Sequence, residues 1–300
     1  MHRNTELKAY FAGTFFSLLV GFSFLGTKIC IDYADAITIM AYRFDFAMLA
    51  LAVLLIVKKE RPIFSGKPKK TIAAAGLSYS FFLLLQAAGM VYATSVEAAI
   101  LSAAAPAFVE VIALVFLKEK ANIRQTTCVI VVIAALVVMI AIDAESVSFN
   151  PAATGILLVS TFFMSLYTVA VRGCSRDYSS LEIGTSTVVT GFVLFNAVMM
   201  IRCFMDGFSV YTAPASSMEF IISAGYLGIF CILVSATLTG YMGQYLESTV
   251  MSVFGNVSAA ISIVAGALIL GEPVYVYYIV CSALIIAGVI GTAYWSEGRI

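Results

Sequence analysis

Polar residues recur at every fourth position through one apolar stretch of the chain. Ser102, Pro106 and Glu110 follow Ala98 at steps of four, so a helix would place them on roughly one face. Proline has no amide hydrogen, so Pro106 would leave the carbonyl oxygen of Ser102 without its helical partner. A free carbonyl, a hydroxyl and a carboxylate on one face could bind a solute. A kink repaired by neighbouring side chains would also explain the proline.

The whole chain around this stretch is apolar. Of its 300 residues, 62% are hydrophobic and 11% are charged, and the mean hydropathy is +1.02. A soluble domain could not bury this much apolar surface, so the composition predicts that lipid surrounds the chain. The net charge is zero, which argues against a nucleic-acid partner. The six cysteines are scattered and the only histidine is His2, so we expect neither a metal nor a cofactor.

Ten apolar segments can be marked along the chain. Most are about 20 residues long, the length that a helix needs to cross a bilayer, and helices satisfy their own backbone hydrogen bonds in lipid. Basic residues concentrate at the N-terminus and in the second, fourth and sixth loops. This pattern predicts a multi-pass protein of the plasma membrane with both termini cytoplasmic. The segments are 9–29, 36–57, 71–92, 94–117, 123–142, 153–172, 181–203, 218–240, 247–270 and 274–295.

Two stretches, 92–119 and 245–272, repeat one pattern and each ends on a glutamate. Shorter matches elsewhere divide the chain into two halves of five helices, 1–146 and 147–300. Because five is odd, the second half must enter the membrane from the opposite side. We therefore predict an all-α membrane protein of ten transmembrane helices, arranged as two inverted five-helix repeats. The aligned residues are Tyr92/Tyr245, Ser95/Ser248, Ala107/Ala260, Val111/Val264, Leu117/Leu270 and Glu119/Glu272.

Several motifs resemble those of the EamA-type members of the drug/metabolite transporter superfamily. Two residues depart from that family, in which a tryptophan often stands where Val20 is found and a proline where Ala259 is found. The resemblance implies a ten-helix carrier with a central cavity, most often an exporter of metabolites or amino acids. It covers nearly the whole chain without identifying the substrate. The motifs are GFSFLGTK at 21–28, Arg43-Phe44, the run from Ala98 to Glu119, and Leu270-Gly271-Glu272.

Charged residues inside the bilayer should be paired or functional, because each costs about 2.5–3.5 kcal/mol on insertion scales. Arg43 would lie roughly 10 Å below the surface at about 1.5 Å per residue. Glu97 and Asp45 are its candidate partners in an ion pair, and the alternative is that Arg43 binds a substrate carboxylate. Glu110 has no basic residue obviously level with it. Its carboxyl group could be structural and hydrogen-bonded, or it could couple transport to protons.

Other polar side chains are spaced through the segments. Asn256 shares a face with Ser252, and its amide needs a partner on another helix or on a substrate. Tyr79, Gln86 and Tyr167 bring polar groups near mid-membrane or its inner surface, although interfacial tyrosines are mostly belt residues. We expect one set of residues to bind substrate and Glu110 to couple transport. The substrate-binding set is Arg43, Tyr79, Gln86, Ser102, Pro106, Tyr167 and Asn256.

Together these features predict a secondary transporter, an exporter of small metabolites such as amino acids, that works by alternating access. No Walker-type glycine loop is present, so ATP is not expected to drive it. The alternative is a membrane-embedded enzyme acting on a lipid-linked substrate. Asp32 and Asp35 superficially resemble a diphosphate–metal motif, but no second acidic cluster accompanies them. A stripe of small residues, Ala283, Ala287 and Gly291, could pack internally or form a homodimer contact.

Overall fold

The structure, a computed structural model, describes residues 2–59, 69–117, 123–143, 150–272 and 275–296. All regular elements in these ranges are helical, which confirms the predicted all-α class. Eight helical spans are long and apolar enough to cross a membrane. They coincide with segments one to four and six to nine. The spans are Leu7–Ile31, Ala36–Lys58, Lys70–Met90, Ser95–Phe116, Pro151–Cys174, Ser180–Asp206, Met218–Tyr245 and Ser248–Ile269.

The described residues form fourteen α-helices, with a short 3-10 turn at Ala213–Ser216 and a π-helical segment at Ile229–Val234. The helices are α1 His2–Gly21, α2 Ser23–Ile31, α3 Ala36–Lys58, α4 Lys69–Met90, α5 Ser95–Ser102, α6 Ala105–Phe116, α7 Ile123–Asp143, α8 Pro151–Cys174, α9 Ser180–Asp206, α10 Ser209–Thr212, α11 Met218–Gly228, α12 Ser235–Tyr245, α13 Ser248–Ile269 and α14 Val276–Ser296. Segments five and ten correspond to α7 and α14, which pack against each other. Their apolar runs are shorter, at Thr126–Ala135 and Val276–Gly288.

Side-chain caps determine where several helices begin. Asp35 accepts hydrogen bonds from the first amides of α3. Thr94 and Glu97 form a capping box at α5, and Ser179 and Glu182 form another at α9. In each box the hydroxyl and the carboxylate satisfy two amides that the helix itself leaves free. The first turn of each helix is therefore specified by local sequence as well as by the membrane.

Three of the predicted segments are not continuous α-helices. The first divides at Phe22 between α1 and α2, and the fourth divides at Ala103 and Ala104 between α5 and α6. The eighth contains the π-helical segment between α11 and α12. Gly228 precedes that segment, and a Cβ atom there would clash with the carbonyl of Arg43. Interrupted helices in a membrane leave backbone groups that must contact protein or line a cavity.

Polar contacts distinguish two opposite ends of the bundle, which we name the Glu272 end and the Gly243 end. At the Glu272 end, where α2 and α13 finish, Lys28 donates to the carbonyl of Ala93 at 2.9 Å. At the Gly243 end, where α8 and α12 finish, Arg172 donates to the carbonyl of Gly243 at 2.7 Å. Each contact joins two segments within one half of the chain through a backbone oxygen. The cavity described below lies between these ends.

Some of the small residues of α14 pack against another helix of the same chain. A Cβ atom at Gly291 would lie 2.6 Å from the sulfur of Cys128, and one at Gly288 would lie 2.8 Å from Val132. These glycines therefore let α14 approach α7 closely. Ala283 and Ala287 stay exposed, so the predicted homodimer contact remains a prediction.

Candidate functional site

A cavity of about 60 Å³ lies beside the break between α5 and α6. Ser102, the last residue of α5, and Ala105, the first of α6, line it from the two sides of the break. The other walls come from α1, α2 and α4 of the first half and from α8, α12 and α13 of the second. The cavity thus lies between the two halves of the chain, and the helices around it would have to move apart to admit a solute.

The cavity wall is apolar with hydroxyl groups spaced through it. Its lining residues include no Asp, Glu, Lys or Arg in the described part of the chain. The apolar part consists mainly of phenylalanine and methionine, which suit the body of an amphipathic solute. The apolar residues are Phe16, Val20, Phe24, Phe82, Ala105, Met164, Met242, Met251 and Gly255, and the hydroxyl residues are Ser102, Thr161, Thr168, Thr239, Ser252 and Ser258.

All six hydroxyl groups of the wall donate to carbonyl oxygens of their own helices. Ser102 donates to Ala99 at 2.6 Å, and Thr239 donates to Ser235 at 2.8 Å. The other four make the same type of contact at 2.6 to 3.0 Å. Because a hydroxyl has one hydrogen and two lone pairs, these groups are left to act as acceptors. The wall is therefore suited to a solute that brings its own N–H or O–H donors.

The helix is interrupted just before Pro106, at Ala103 and Ala104, which keep helical backbone angles but belong to neither α5 nor α6. Pro106 lies in the first turn of α6, where a missing amide hydrogen removes no helical bond. Two hydroxyl groups of α8 lie near the interrupted backbone: that of Thr161 is 3.5 Å from the carbonyl of Leu101, and that of Ser165 is 3.3 Å from the carbonyl of Ala105. Both also donate to carbonyls of α8 at 2.9 Å. Pro106 itself is buried and does not line the cavity.

Glu110 lies on α6 against α7 rather than in the cavity. Its Oε1 atom accepts a hydrogen bond from Thr126 at 2.9 Å. Its Oε2 atom is buried and has no partner among the described residues. The sequence showed no cation level with Glu110, and the structure supplies a hydroxyl on the next helix instead. One carboxylate oxygen therefore remains able to carry a proton.

The expected ion pair of Arg43 with Glu97 or Asp45 is wrong. The carboxylate of Asp45 accepts from Asn196 at 2.7 Å and from Tyr211 at 2.6 Å. The carboxylate of Glu97 belongs to the capping box of α5. Asp45 could not pair because residues two apart on a helix do not face each other.

Arg43 is fully buried among polar side chains that carry no charge-balancing carboxylate. Its Nη1 atom donates to the hydroxyl of Thr27 at 3.4 Å, and its Nε atom has no partner among the described residues. Tyr79 and Cys231 lie close enough to interact with its charge. The hydroxyl of Tyr79 in turn donates to the carbonyl of Cys231 at 2.6 Å.

The remaining predicted residues are buried near the cavity without lining it. The ring centroid of Tyr167 is 4.7 Å from that of Tyr79, and its hydroxyl lies near those of Thr187 and Thr239. Both polar atoms of the Asn256 amide are buried without a described partner. Gln86 is also buried. Of the seven predicted substrate-binding residues, Ser102 is the one that the described structure places on the cavity wall.

Sequence reasoning missed most of the hydroxyl residues on the wall. Thr161 and Thr168 of α8, Thr239 of α12 and Ser258 of α13 were not singled out, although all line the cavity. A signal existed, because serine and threonine recur three or four residues apart on the sixth and ninth segments. That spacing marks one face of a helix. Without charge, those residues could not be distinguished from ordinary packing residues.

Comparisons with known proteins give consistent results. A model of the EamA-like transporter family matches residues 7–141 and again residues 153–294. YcxC of Bacillus subtilis (strain 168), named an uncharacterized transporter, is 30% identical over 297 residues, covering 97% of this chain and 95% of the relative. An uncharacterized transporter of Archaeoglobus fulgidus is 26% identical over 276 residues, covering 90% and 92%. A protein crystal structure is similar with a TM-score of 0.70 and 14% identity, covering 97% and 98% of the two chains. That last likeness indicates the fold alone.

Proposed function

Because the chain belongs to the EamA-like transporter family, we propose that it is a secondary transporter that exports small metabolites by alternating access. The observation that carries this proposal is the cavity between the two halves, next to the broken helix α5–α6. Carriers of this kind bind solutes near the midplane, where interrupted helices supply polar groups. The bilayer and a small solute are the partners that such a protein requires.

The chemistry of the wall favours solutes such as amino acids and related compounds. Six hydroxyl groups with free lone pairs can accept hydrogen bonds from an ammonium group. Aromatic rings and methionines can hold an apolar side chain and also favour a cation. Ser102 is proposed to contact the solute directly in the described arrangement.

The other proposed substrate-binding residues would take part as the cavity changes shape during transport. Tyr79, Gln86, Tyr167 and Asn256 lie behind the wall, and Pro106 maintains the break that lets the helix move. The amide of Asn256, which has no partner among the described residues, supports this proposal, because buried polar groups without partners are costly unless a ligand satisfies them. Glu110 is proposed to couple transport to protons through its unpaired oxygen.

The proposed architecture has ten transmembrane helices in two inverted repeats, 1–146 and 147–300. The two separate family matches and the helical character of α7 and α14 support it. We also propose that the protein lies in the plasma membrane and that both termini face the cytoplasm. In a cysteine-free background, single cysteines at 65 and 300 should be labelled from the inside only, and one at 147 from the outside. These three positions lie outside the described residues.

The function is tested by an unbiased comparison of metabolites in cells with and without the protein. Export predicts that one group of metabolites accumulates in cells that lack the protein and rises in the medium of cells that produce it. Unchanged metabolites together with turnover of a lipid-linked compound would favour the enzyme alternative. That alternative gains no support from the described residues, in which no group of three metal-ligating side chains is found.

A further inference from the structure

We propose that the solute carries a carboxylate that binds Arg43 while the rest of the solute occupies the cavity. This inference rests on the proposed transport function and specifies the class of solute. Arg43 is the starting point because its positive charge is unbalanced in the described structure.

The guanidinium group of Arg43 has no anion beside it in the part of the chain that the structure describes. Its side chain is fully buried, and no carboxylate of the described residues lies within 4.0 Å of it. Its one hydrogen bond, to Thr27, is long at 3.4 Å, and Nε has none. A buried charge without a partner is costly in a protein, and within membrane segments such residues commonly mark the path of a substrate or ion.

Two helices place Arg43 one turn beyond the cavity wall. On α2, Phe24 lines the cavity and Thr27, three residues later, contacts Arg43. On α4, Phe82 lines the cavity and Tyr79, three residues earlier, interacts with Arg43. One helical turn spans about 5.4 Å. An extended carboxylate on a cavity-bound solute could therefore reach the guanidinium group after a small displacement of these side chains.

A third helix, α12, also has one residue on the cavity wall and another, one turn away, on the side of Arg43. On α12, Thr239 lines the cavity and donates to the carbonyl of Ser235, one turn away. The hydroxyl of Ser235 is 3.4 Å from that of Tyr79, and both donate to the carbonyl of Cys231 in the π-helical segment. Local π-helical turns frequently occur at functional sites. Polar groups thus extend from the cavity wall to Tyr79, which interacts with the charge of Arg43.

The chemistry of the side chain favours a carboxylate over a neutral group. Guanidinium has a planar fork of N–H donors that binds two carboxylate oxygens at once. Lys28, another cation of the same region, already donates to the carbonyls of Met90 and Ala93 at 2.9 Å each. Among the described residues, Arg43 is therefore a buried cation near the cavity with most of its donors unused. An amphipathic acid with an ammonium group would satisfy both Arg43 and the hydroxyl wall.

The test repeats the metabolite comparison with Arg43→Gln and Arg43→Lys, using the whole cell extract as the probe. We expect the exported metabolites to carry a carboxylate and Arg43→Gln to reduce their export at least tenfold. Arg43→Lys keeps the charge without the fork, so its export should be intermediate. Arg202→Gln, which removes a cation of the Glu272 end, is the matched control and should export as the parent does. If Arg43 had only a structural role, Arg43→Gln should melt at a lower temperature than the parent. If the buried charge is unbalanced, its removal should leave the melting temperature equal or higher.

A second measurement needs no substitution at Arg43. In vesicles that contain the parent protein, the transport of each exported acid should be inhibited by added acid. The amide made from that acid should inhibit the same transport at least tenfold more weakly. If the exported metabolites lack a carboxylate, or if acid and amide compete equally, this inference is wrong while the transport function stands. If no metabolite is exported by any variant, the proposed function fails as well.

Discussion

The carboxylate of Glu272 accepts hydrogen bonds from both the backbone amide and the hydroxyl of Ser95, at 2.9 and 2.7 Å. A third bond comes from the amide of Val96 at 2.9 Å. Glu272 follows α13 and Ser95 begins α5, so these bonds tie together two helices that line the cavity. A Cβ atom at Gly266 would lie 2.7 Å from the hydroxyl of Ser95, so this glycine allows the close approach.

Replacing Glu272 with glutamine should destabilise the protein. The amide keeps the shape but has one accepting oxygen in place of two charged ones. Hydrogen bonds to charged groups each contribute about 1.5–3 kcal/mol, and partial exposure of Glu272 reduces that gain. We expect the free energy of unfolding in detergent to fall by about 1–2 kcal/mol. Ser95→Ala removes one bond of the three and should cost less; equal stability of Glu272→Gln and the parent would contradict this account.

Pro106→Ala should slow transport while the fold stays intact. Alanine restores an amide hydrogen at the break and favours a continuous helix, which resists the change in shape that alternating access needs. Initial rates of solute movement in vesicles should fall, with no loss of thermal stability. Pro151→Ala, at the exposed start of α8, is the control and should leave the rate unchanged. A Pro106→Ala protein that transports at the parental rate would show that the break is structural.

Glu110→Gln tests proton coupling. Glutamine retains an oxygen for the Thr126 contact at 2.9 Å but cannot titrate. If protons move through Glu110, solute uptake should lose its dependence on a pH gradient while binding of the solute survives. Glu219→Gln removes a carboxylate at the Glu272 end, and its uptake should keep that dependence. Parental behaviour of Glu110→Gln under every gradient would assign Glu110 a structural role.

The ion pair between Asp35 and Arg202, at 2.7 Å, should make stability depend on acidity. Partial burial raises the pKa of Asp35, but hydrogen bonds from Arg202 and Thr38 outweigh it, so the net pKa lies below its usual 3.8. The pair therefore stabilises the fold above the usual pKa and loses this effect as the pH falls through the lower folded value.

Asp35→Asn keeps the helix cap but removes the charge. Because the pair is partly exposed, the variant should be less stable than the parent at pH 7 by under about 1 kcal/mol. Melting curves of the two proteins should converge as the pH falls below 3.8. A difference that stays constant down to pH 2 would contradict the shifted pKa.

Much of the helical arrangement could be predicted from sequence because lipid leaves few alternatives. Apolar segments of about 20 residues in a membrane must be helices, and the position of Pro106 anticipated the break at Ala103–Ala104. The break at Phe22 and the π-helical segment at 229–234 have no proline to mark them. These irregularities depend on contacts between helices, and such contacts cannot be read from the sequence of a single helix.

The candidate site was harder to predict, for a related reason. Ser102 could be placed because its stripe also contains a proline and a charge. The partner of Arg43 was predicted from depth alone, but whether two side chains meet depends on how each helix is rotated. Asp45 therefore contacts Asn196 and Tyr211 instead. Uncharged Thr161 and Thr239 line the cavity without any feature that distinguishes them from packing residues.

The central claim is that solute passes through the cavity, and filling the cavity tests it most directly. Gly255 lines the cavity, and a Cβ atom there would meet nothing within 4 Å. A side chain at 255 would therefore begin in open space, and the ring of a phenylalanine there should obstruct the cavity. Gly155 offers equal room but lies on the exposed side of α8, so Gly155→Phe is the matched control.

The measurement is efflux, from vesicles with each purified protein, of the solutes that the metabolite comparison identifies. The account predicts that the parent and Gly155→Phe release them, and that Gly255→Phe folds normally but releases them at least tenfold more slowly. Release by Gly255→Phe at the parental rate would contradict it.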